Sequence, residues 1–102
     1  MKNVLVMLST YNGEKYLREQ IESVLKQENV KISILVRDDG STDNTCNILE
    51  EYEKKGLLRW YTGKNLKPAK SFIDLIFHAT NDFDYYAFCD QDDWWNPKKI
   101  EI

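Results

Sequence analysis

Four short apolar runs alternate with helical patterns along this sequence, and no other feature constrains the fold as strongly. The runs cover residues 3–8, 32–36, 57–62 and 85–89, and continuous apolar runs are typical of strands buried on both faces of a sheet. Helical segments of about 12–15 residues separate them, as in right-handed crossovers between parallel strands. The pattern predicts an α/β protein with a Rossmann-like, mostly parallel sheet of about four strands and flanking helices.

The helical segments carry predicted starts, stops and inner faces. Asn12 is placed to cap the first helix, and Ser41 or Thr42 to cap the second. Gly56 is placed to stop the second helix, and Pro68 suits the first turn of the third. The predicted inner faces are Leu17, Ile21, Val24 and Leu25 in the first helix, Ile48, Leu49 and Tyr52 in the second, and Ala69, Phe72, Ile73, Ile76, Phe77 and Thr80 in the third.

Composition and charge narrow the class of protein. At 102 residues, with 42% hydrophobic and 30% charged residues, the chain is one ordinary folded domain at most. A formal net charge of −3 and the lack of a basic block predict no nucleic-acid partner. The apolar run at residues 4–8 is too short for a transmembrane segment or a signal peptide, which predicts a cytoplasmic protein, at most peripheral at the inner face of the membrane. Cys46 and Cys89 are expected to be reduced thiols, and His78 to be structural.

An acidic box, residues 90–93, follows the fourth predicted strand and contains Asp90, Asp92 and Asp93. Three like charges at a strand end repel one another unless a cation neutralises them, and oxygen ligands of this kind suit Mg²⁺ or Mn²⁺. Taken alone, the box could equally be a solvated turn with capping aspartates. Trp94 and Trp95 come next, and either stack on a sugar ring or cover the edge of the sheet.

Two further polar loops are predicted to lie at the same edge of the sheet as the acidic box. Ser9, Thr10 and Tyr11 follow the first strand, and Asp38 and Asp39 follow the second. The crevice beyond the carboxyl ends of parallel strands is the usual ligand site of this architecture. A crevice with a carboxylate cluster and polar loops suits a phosphate-bearing ligand whose charge an ion neutralises.

Several common phosphate and metal motifs do not fit. The sequence has no Gly-x-Gly-x-x-Gly after the first strand and no Gly-x-x-x-x-Gly-Lys-Ser/Thr, which disfavours both the dinucleotide fingerprint and the P-loop. A phosphatase loop of the form Asp-x-Asp-Gly-Thr needs an aspartate as its nucleophile, and this sequence has Arg37 at that position, so the motif does not match. A calcium loop would need a ligand where Gly40 stands.

Taken together, residues 9–13, 38–43 and 90–97 resemble the start of a family 2 glycosyltransferase with the GT-A fold, and the resemblance covers the whole chain. It implies an inverting enzyme that moves a sugar from a nucleotide-diphosphate donor to a saccharide or lipid-linked saccharide acceptor. Residues 19–21 and 37–39 are similar to bacterial rhamnosyltransferases that build surface polysaccharides. This narrower likeness implies a UDP- or dTDP-sugar donor, with dTDP-rhamnose as the particular candidate.

The resemblance also implies roles for individual residues. Asp39 would bind the pyrimidine base. Asp90 and Asp92 would form the family's Asp-x-Asp motif and bind Mn²⁺ or Mg²⁺. Lys70 would bring a positive charge to the diphosphate, or would remain a solvated helix lysine. The residues assigned to the nucleotide are Ser9, Thr10, Tyr11, Asp38, Asp39, Lys70 and Asp90.

The sequence departs from the family pattern in the loop after the third strand and in the lack of a candidate catalytic base, and two other functions remain alternatives. Residues 65–67 read Asn-Leu-Lys where the family often has Asn-x-Gly. The catalytic base is expected beyond Ile102, so residues 1–102 would form the nucleotide-sugar-binding part of a GT-A domain, with an exposed sheet edge and apolar face. The alternatives are a sugar-phosphate nucleotidylyltransferase and a nucleotide- or carbohydrate-binding module without turnover.

Overall fold

Strands and helices alternate without exception in the computed structural model, which describes residues 2–64, 68–79 and 82–89. The elements are β1 (Lys2–Thr10), α1 (Leu17–Leu25), β2 (Val30–Asp38), α2 (Thr45–Lys54), β3 (Arg59–Thr62), α3 (Pro68–His78) and β4 (Tyr85–Cys89). The strands form one four-stranded sheet in the order β3-β2-β1-β4, and every pair is parallel. The predicted α/β class is confirmed.

The central strands are covered on both faces, which explains why they read as continuous apolar runs. On one face, Val6 of β1 belongs to a core formed with α1 and α2. On the other face, Leu5 and Met7 pack with Leu35 of β2 and Leu75 of α3. Each fully buried side chain of this kind stabilises the fold by about 1.5–3 kcal/mol, so the two-sided core holds the strand ends in register.

Strand ends differ from the apolar runs that predicted them. β1 continues to Thr10 and β2 to Asp38, because these two residues are still register partners. β3 begins later than predicted, because the N–H of Leu57 donates to the carbonyl of Tyr52 at 3.2 Å in the turn that ends α2. Gly56 adopts a left-handed conformation (φ 73°) in this turn and stops α2 as predicted.

Both predicted helix caps are wrong. α1 begins at Leu17, well past Asn12. α2 begins at Thr45, past Ser41 and Thr42. The Asn12 side chain instead accepts a hydrogen bond from the Thr42 N–H at 2.8 Å, and the Asn12 N–H donates to the Ser41 hydroxyl at 2.8 Å. These polar residues join the loop after β1 to the loop after β2 rather than starting the helices.

The face of α3 that packs on the sheet is not the predicted one. Leu75 is fully buried, whereas Ile73 and Ile76 are exposed and Phe77 is 82% exposed. Next to Leu75, the carboxylate of Asp74 binds a buried arginine of β2, so both residues lie on the side of α3 that faces the sheet. The remaining residues of the predicted face lie outside what the structure describes, namely the side chains of Ala69 and Phe72, and Thr80.

An apolar surface is exposed beside β4, which lies at one edge of the described sheet. Tyr85, Tyr86 and Phe88 of β4 are each more than two-fifths exposed, and Ile76 and Phe77 of α3 are exposed as well. Surfaces of this kind mark interfaces. Among the described residues, the predicted apolar face is therefore exposed, and the exposed edge stays a prediction. In the described part of the chain, no helix has the length and apolar character needed to cross a membrane.

Candidate functional site

The chain after β1 meets the chain after β2 at the carboxyl edge of the sheet, as predicted. Thr10 and Asp38 are register partners at the strand ends, and the Asp39 N–H donates to the Thr10 carbonyl at 2.9 Å. The hydroxyl of Ser9 donates to Asp39 Oδ2 at 3.0 Å. Tyr11 follows and is 42% exposed. The structure thus brings these five predicted residues together, and their roles toward a ligand stay predictions.

Asp38 is fully buried, and its carboxylate is occupied by its own loop. Oδ2 accepts hydrogen bonds from the N–H groups of Gly40 at 3.1 Å and Ser41 at 2.8 Å, and Oδ1 accepts one from the Ser41 hydroxyl. Gly40 has a φ of 88°, a conformation that favours glycine and lets the chain turn back over the carboxylate. Asp38 therefore holds the loop that carries Asp39.

The thiol of Cys46 completes the surroundings of Asp38. Cys46 Sγ donates to Asp38 Oδ2 at 3.4 Å. Burial and the negative charge of Asp38 raise the pKa of the Cys46 thiol to about 11. The thiol is therefore protonated at neutral pH and is a poor nucleophile. Cys89 is buried, and neither cysteine forms a disulfide, which confirms the prediction of reduced thiols.

Further hydrogen bonds hold the two loops against each other. The Gly13 N–H donates to Thr45 Oγ1 at 2.9 Å, and the Asn44 side-chain amide donates to Glu14 Oε2 at 3.0 Å. Asp43 Oδ1 accepts a hydrogen bond from the Thr45 N–H at 2.9 Å, at the start of α2. These contacts tie the loop after β1 to the loop after β2 and to the start of α2 at the carboxyl edge of the sheet.

Arg37 is the central residue of this region that sequence reasoning missed. Its side chain is 4% exposed and forms an ion pair with Asp39 Oδ1. Its Nε donates to Asp74 Oδ2 at 2.9 Å, and its Nη2 donates to the carbonyl of Lys64 at 2.9 Å. One guanidinium thus ties the end of β2 to α3 and to the loop after β3. The sequence signal was an arginine directly before two aspartates at the end of a buried strand.

Tyr61 and His78 complete the contacts around Asp74. The Tyr61 hydroxyl donates to Asp74 Oδ2 at 2.7 Å, and the rings of Tyr61 and His78 stack with centroids 4.3 Å apart. The hydrogen bond from Tyr61 and the guanidinium of Arg37 hold the pKa of Asp74 below its ordinary value. Burial and the negative charge of Asp74 raise the pKa of Tyr61. The stack agrees with the structural role predicted for His78.

The lowered pKa of Asp74 predicts an acid-sensitive contribution to stability. Its unfolded-state pKa is about 3.9, so the ionised carboxylate stabilises the fold fully above that pH, and the contribution is lost as the pH falls through the lower folded-state value. Asp74→Asn should reduce the free energy of unfolding at pH 7, and its difference from the wild type should shrink below about pH 4. Urea denaturation measures both. Glu50→Gln, at an exposed ion pair, is the control, and a difference unchanged in acid would contradict the assignment.

The other predicted site residues are less completely described. Lys70 is exposed on α3. β4 ends at Cys89, which pairs with Leu8 of β1, so the fourth strand is directed to the same edge as Ser9. Within 2–64, 68–79 and 82–89, no group of three metal-ligating side chains is present. Residues of the earlier predictions that lie outside these ranges are Asp90, Asp92, Asp93, Trp94, Trp95 and residues 65–67.

Comparison with known families identifies the class of protein that this fold and edge define. Residues 5–102 match the family model for glycosyl transferase family 2. The chain therefore belongs to glycosyl transferase family 2, which confirms the resemblance of its three polar loops to that family.

Individual relatives agree with this assignment. The dTDP-rhamnosyl transferase RfbG of Shigella flexneri is 40% identical over 92% of this chain, and the putative glycosyltransferase EpsE of Bacillus subtilis is 36% identical over 96%. The crystal structure of S. aureus TarS 1-349 in complex with UDP-GlcNAc gives a TM-score of 0.79 at 35% identity, over 95% of this chain. The structural neighbours are GT-A glycosyltransferases. This chain spans 34% of RfbG, 36% of EpsE and 28% of that TarS chain.

Proposed function

We propose that this chain belongs to an inverting enzyme that transfers a sugar from a nucleoside-diphosphate donor to a saccharide or lipid-linked saccharide acceptor, in the synthesis of bacterial surface polysaccharide. The observation that carries the proposal is the hydrogen bond between Ser9 and Asp39 at the carboxyl edge of the sheet, in a chain that belongs to glycosyl transferase family 2. The names of relatives support the setting. RfbG is a dTDP-rhamnosyl transferase, and TuaG of Bacillus subtilis, 33% identical, is a putative teichuronic acid biosynthesis glycosyltransferase.

A pyrimidine nucleotide is the donor that the site supports best. TarS has been solved with UDP and with UDP-GlcNAc, and RfbG is named for a dTDP-sugar. Uracil and thymine both present an imide N–H, which a carboxylate accepts. Asp39 supplies that carboxylate, and Ser9, Thr10, Tyr11 and Asp38 surround it in the proposed nucleoside pocket. The first donor to test is dTDP-rhamnose, followed by UDP-sugars.

The divalent ion is assigned to the acidic box on the chemistry of its side chains. Asp90 and Asp92 offer carboxylate oxygens, which are the ligands that Mg²⁺ and Mn²⁺ prefer. When bound, such an ion neutralises the diphosphate as the sugar leaves it. Lys70 would add a positive charge to the diphosphate from α3.

The described residues suit donor binding rather than proton transfer. Inverting transfer needs a general base within hydrogen-bond reach of the acceptor hydroxyl. The Asp38 carboxylate is occupied by its own loop, and Asp39 is ion-paired with Arg37, so neither is placed to take that proton. We therefore assign residues 1–102 to the donor half and expect the base and the acceptor site in the part of the relatives' length that this chain does not span.

Nucleoside-diphosphate binding should depend on a divalent ion. Isothermal titration of UDP or dTDP should show binding with Mn²⁺ or Mg²⁺ and much weaker binding with a chelator. Asp92→Ala should weaken diphosphates at least about tenfold and leave the bare nucleoside unchanged, because it removes an ion ligand and not the base contact. Asp82→Ala is the matched control, since Asp82 is an exposed aspartate before β4 at the other end of the sheet. Equal binding with and without chelator would remove the metal role from Asp90 and Asp92.

A transfer assay separates the proposal from its two alternatives. The full reading frame, given dTDP-rhamnose or UDP-sugars and a panel of rhamnosyl, glucosyl and N-acetylglucosaminyl acceptors, should form a glycoside and release the nucleoside diphosphate. Formation of a sugar phosphate with pyrophosphate would instead indicate a nucleotidylyltransferase. Nucleotide binding without product from any acceptor would indicate a binding module.

A further inference from the structure

Asp39 is already engaged on both carboxylate oxygens. Oδ1 forms the ion pair with Arg37, and Oδ2 accepts the hydroxyl of Ser9. The Asp39 side chain is 8% exposed, so little water is present to reorient or screen it. An ionised carboxylate only accepts hydrogen bonds, whereas a protonated one also donates. What Asp39 offers to a ligand therefore depends on the groups that hold it.

The guanidinium of Arg37 is the most constrained of those groups. Asp74 and the carbonyl of Lys64 accept hydrogen bonds from two of its nitrogens, and the Tyr61 hydroxyl holds Asp74 in turn. Gly63 lies against the guanidinium, since a Cβ added there would be 2.7 Å from Arg37 Cζ. A planar guanidinium makes these contacts together with the Asp39 ion pair through its fixed fork of donors, and the point charge of a lysine does not.

We infer that Arg37 is a positioning residue that sets the base specificity of the donor site, by keeping Asp39 an oriented acceptor that takes uracil or thymine and rejects cytosine. The inference rests on the proposed role of Asp39 in binding the base, and it adds the group that controls that role. Arg37 is buried and acts through Asp39.

The selectivity follows from the hydrogen-bonding atoms of the bases. Uracil and thymine carry an N–H at the ring nitrogen where cytosine carries a lone pair. A carboxylate kept ionised by a guanidinium accepts a hydrogen bond from the N–H of uracil or thymine. With cytosine, the carboxylate would face the lone pair of the ring nitrogen, so two acceptors would oppose each other. Sites that leave a buried polar group unpaired reject the wrong ligand strongly. A carboxylate that turns, or that takes up a proton, would lose this discrimination.

Two variants disturb Arg37 while the charges remain. Arg37→Lys keeps the positive charge but loses the fork of donors. Gly63→Ala changes no charge and places a methyl group against the guanidinium, which must then move. Removing the charge outright would leave Asp39 and Asp74 without their common partner in a buried site, which often prevents folding. Arg18→Lys is the matched control, because Arg18 forms an exposed pair with Glu51 on the helices.

The measurement is the affinity of the full-length protein for UMP and for CMP by isothermal titration, with thermal melting to show that each variant is folded. The monophosphates keep the metal and the diphosphate out of the comparison. The wild type and Arg18→Lys should prefer UMP, and the preference should fall about tenfold in Arg37→Lys and in Gly63→Ala, as expected for a misaligned charge-assisted hydrogen bond. If Arg37→Lys does not fold, Gly63→Ala carries the test.

Two results would overturn the inference, and they have different meanings. If the wild type discriminates and the folded variants discriminate equally well, or lose both nucleotides in parallel, Arg37 serves the fold alone and the proposed function stands. If the wild type itself shows no preference for UMP over CMP, the base contact proposed for Asp39 is wrong, and the role of Arg37 falls with it.

Discussion

Leu75→Ala should lower the free energy of unfolding by about 2–5 kcal/mol, the usual cost of truncating a fully buried leucine. Leu75 is fully buried and packs with Leu5, Met7 and Leu35 between α3 and the sheet. The matched control is Ile76→Ala, which removes an isomeric side chain from the next position of the same helix. Ile76 is 52% exposed, and substitutions of exposed residues usually change stability by no more than about 0.5 kcal/mol.

Urea denaturation of the two variants tests which face of α3 meets the sheet. The helical periodicity of the sequence placed Ile76 on the inner face and did not include Leu75. A larger loss for Ile76→Ala than for Leu75→Ala would restore that prediction and contradict the orientation of α3 in the structure. The result also bears on the site, because the same orientation brings Asp74 to Arg37.

Asp39→Ala should weaken uridine or thymidine binding roughly ten- to hundredfold, and should leave the response to Mn²⁺ in place. Removing one partner of a charge-assisted hydrogen bond typically costs about 1.5–3 kcal/mol, which corresponds to that range of affinity. The nucleoside carries no phosphate, so this measurement reports the base contact separately from the ion. Titration calorimetry with uridine and with UDP gives both quantities.

Asp39→Asn is needed beside the alanine variant, because Asp39 also balances the charge of Arg37. Asparagine keeps the size of the side chain and one acceptor oxygen, and removes the negative charge. Both variants should lose nucleoside affinity, while Asp82→Ala at the other end of the sheet should not. Unchanged uridine affinity in the folded Asp39→Asn variant would move the base contact to another residue.

Much of the architecture could be predicted because it depends on local pattern. The four apolar runs correspond to the four strands, and β4 has the predicted bounds. Gly56 stops α2 because the left-handed turn that ends a helix needs no information from distant residues. The meeting of Ser9 with Asp39 followed from topology alone, since parallel strands place their carboxyl ends at one edge.

The helix starts were less predictable because polar side chains have a choice of partners. Asn12, Ser41 and Thr42 are all good capping residues, and each would suit the first turn of a helix. In the folded chain they bind across the two loops instead, where Asn12 meets residues 29 and 30 positions away. The local sequence pattern gives no information about a partner at that distance, so these residues were wrongly predicted to be helix caps.

By itself, the sequence determined the parallel α/β sheet, the two polar loops at its carboxyl edge and the family, because apolar periodicity and short motifs are local properties of a chain. The tertiary structure alone decided which side of α3 is buried and what surrounds Asp39. Arg37 donates hydrogen bonds to Asp74, 37 positions away in the sequence, and to the carbonyl of Lys64, 27 positions away. A buried charge is stable only beside an opposite charge, and which oppositely charged residue lies beside it depends on how the helices pack on the sheet.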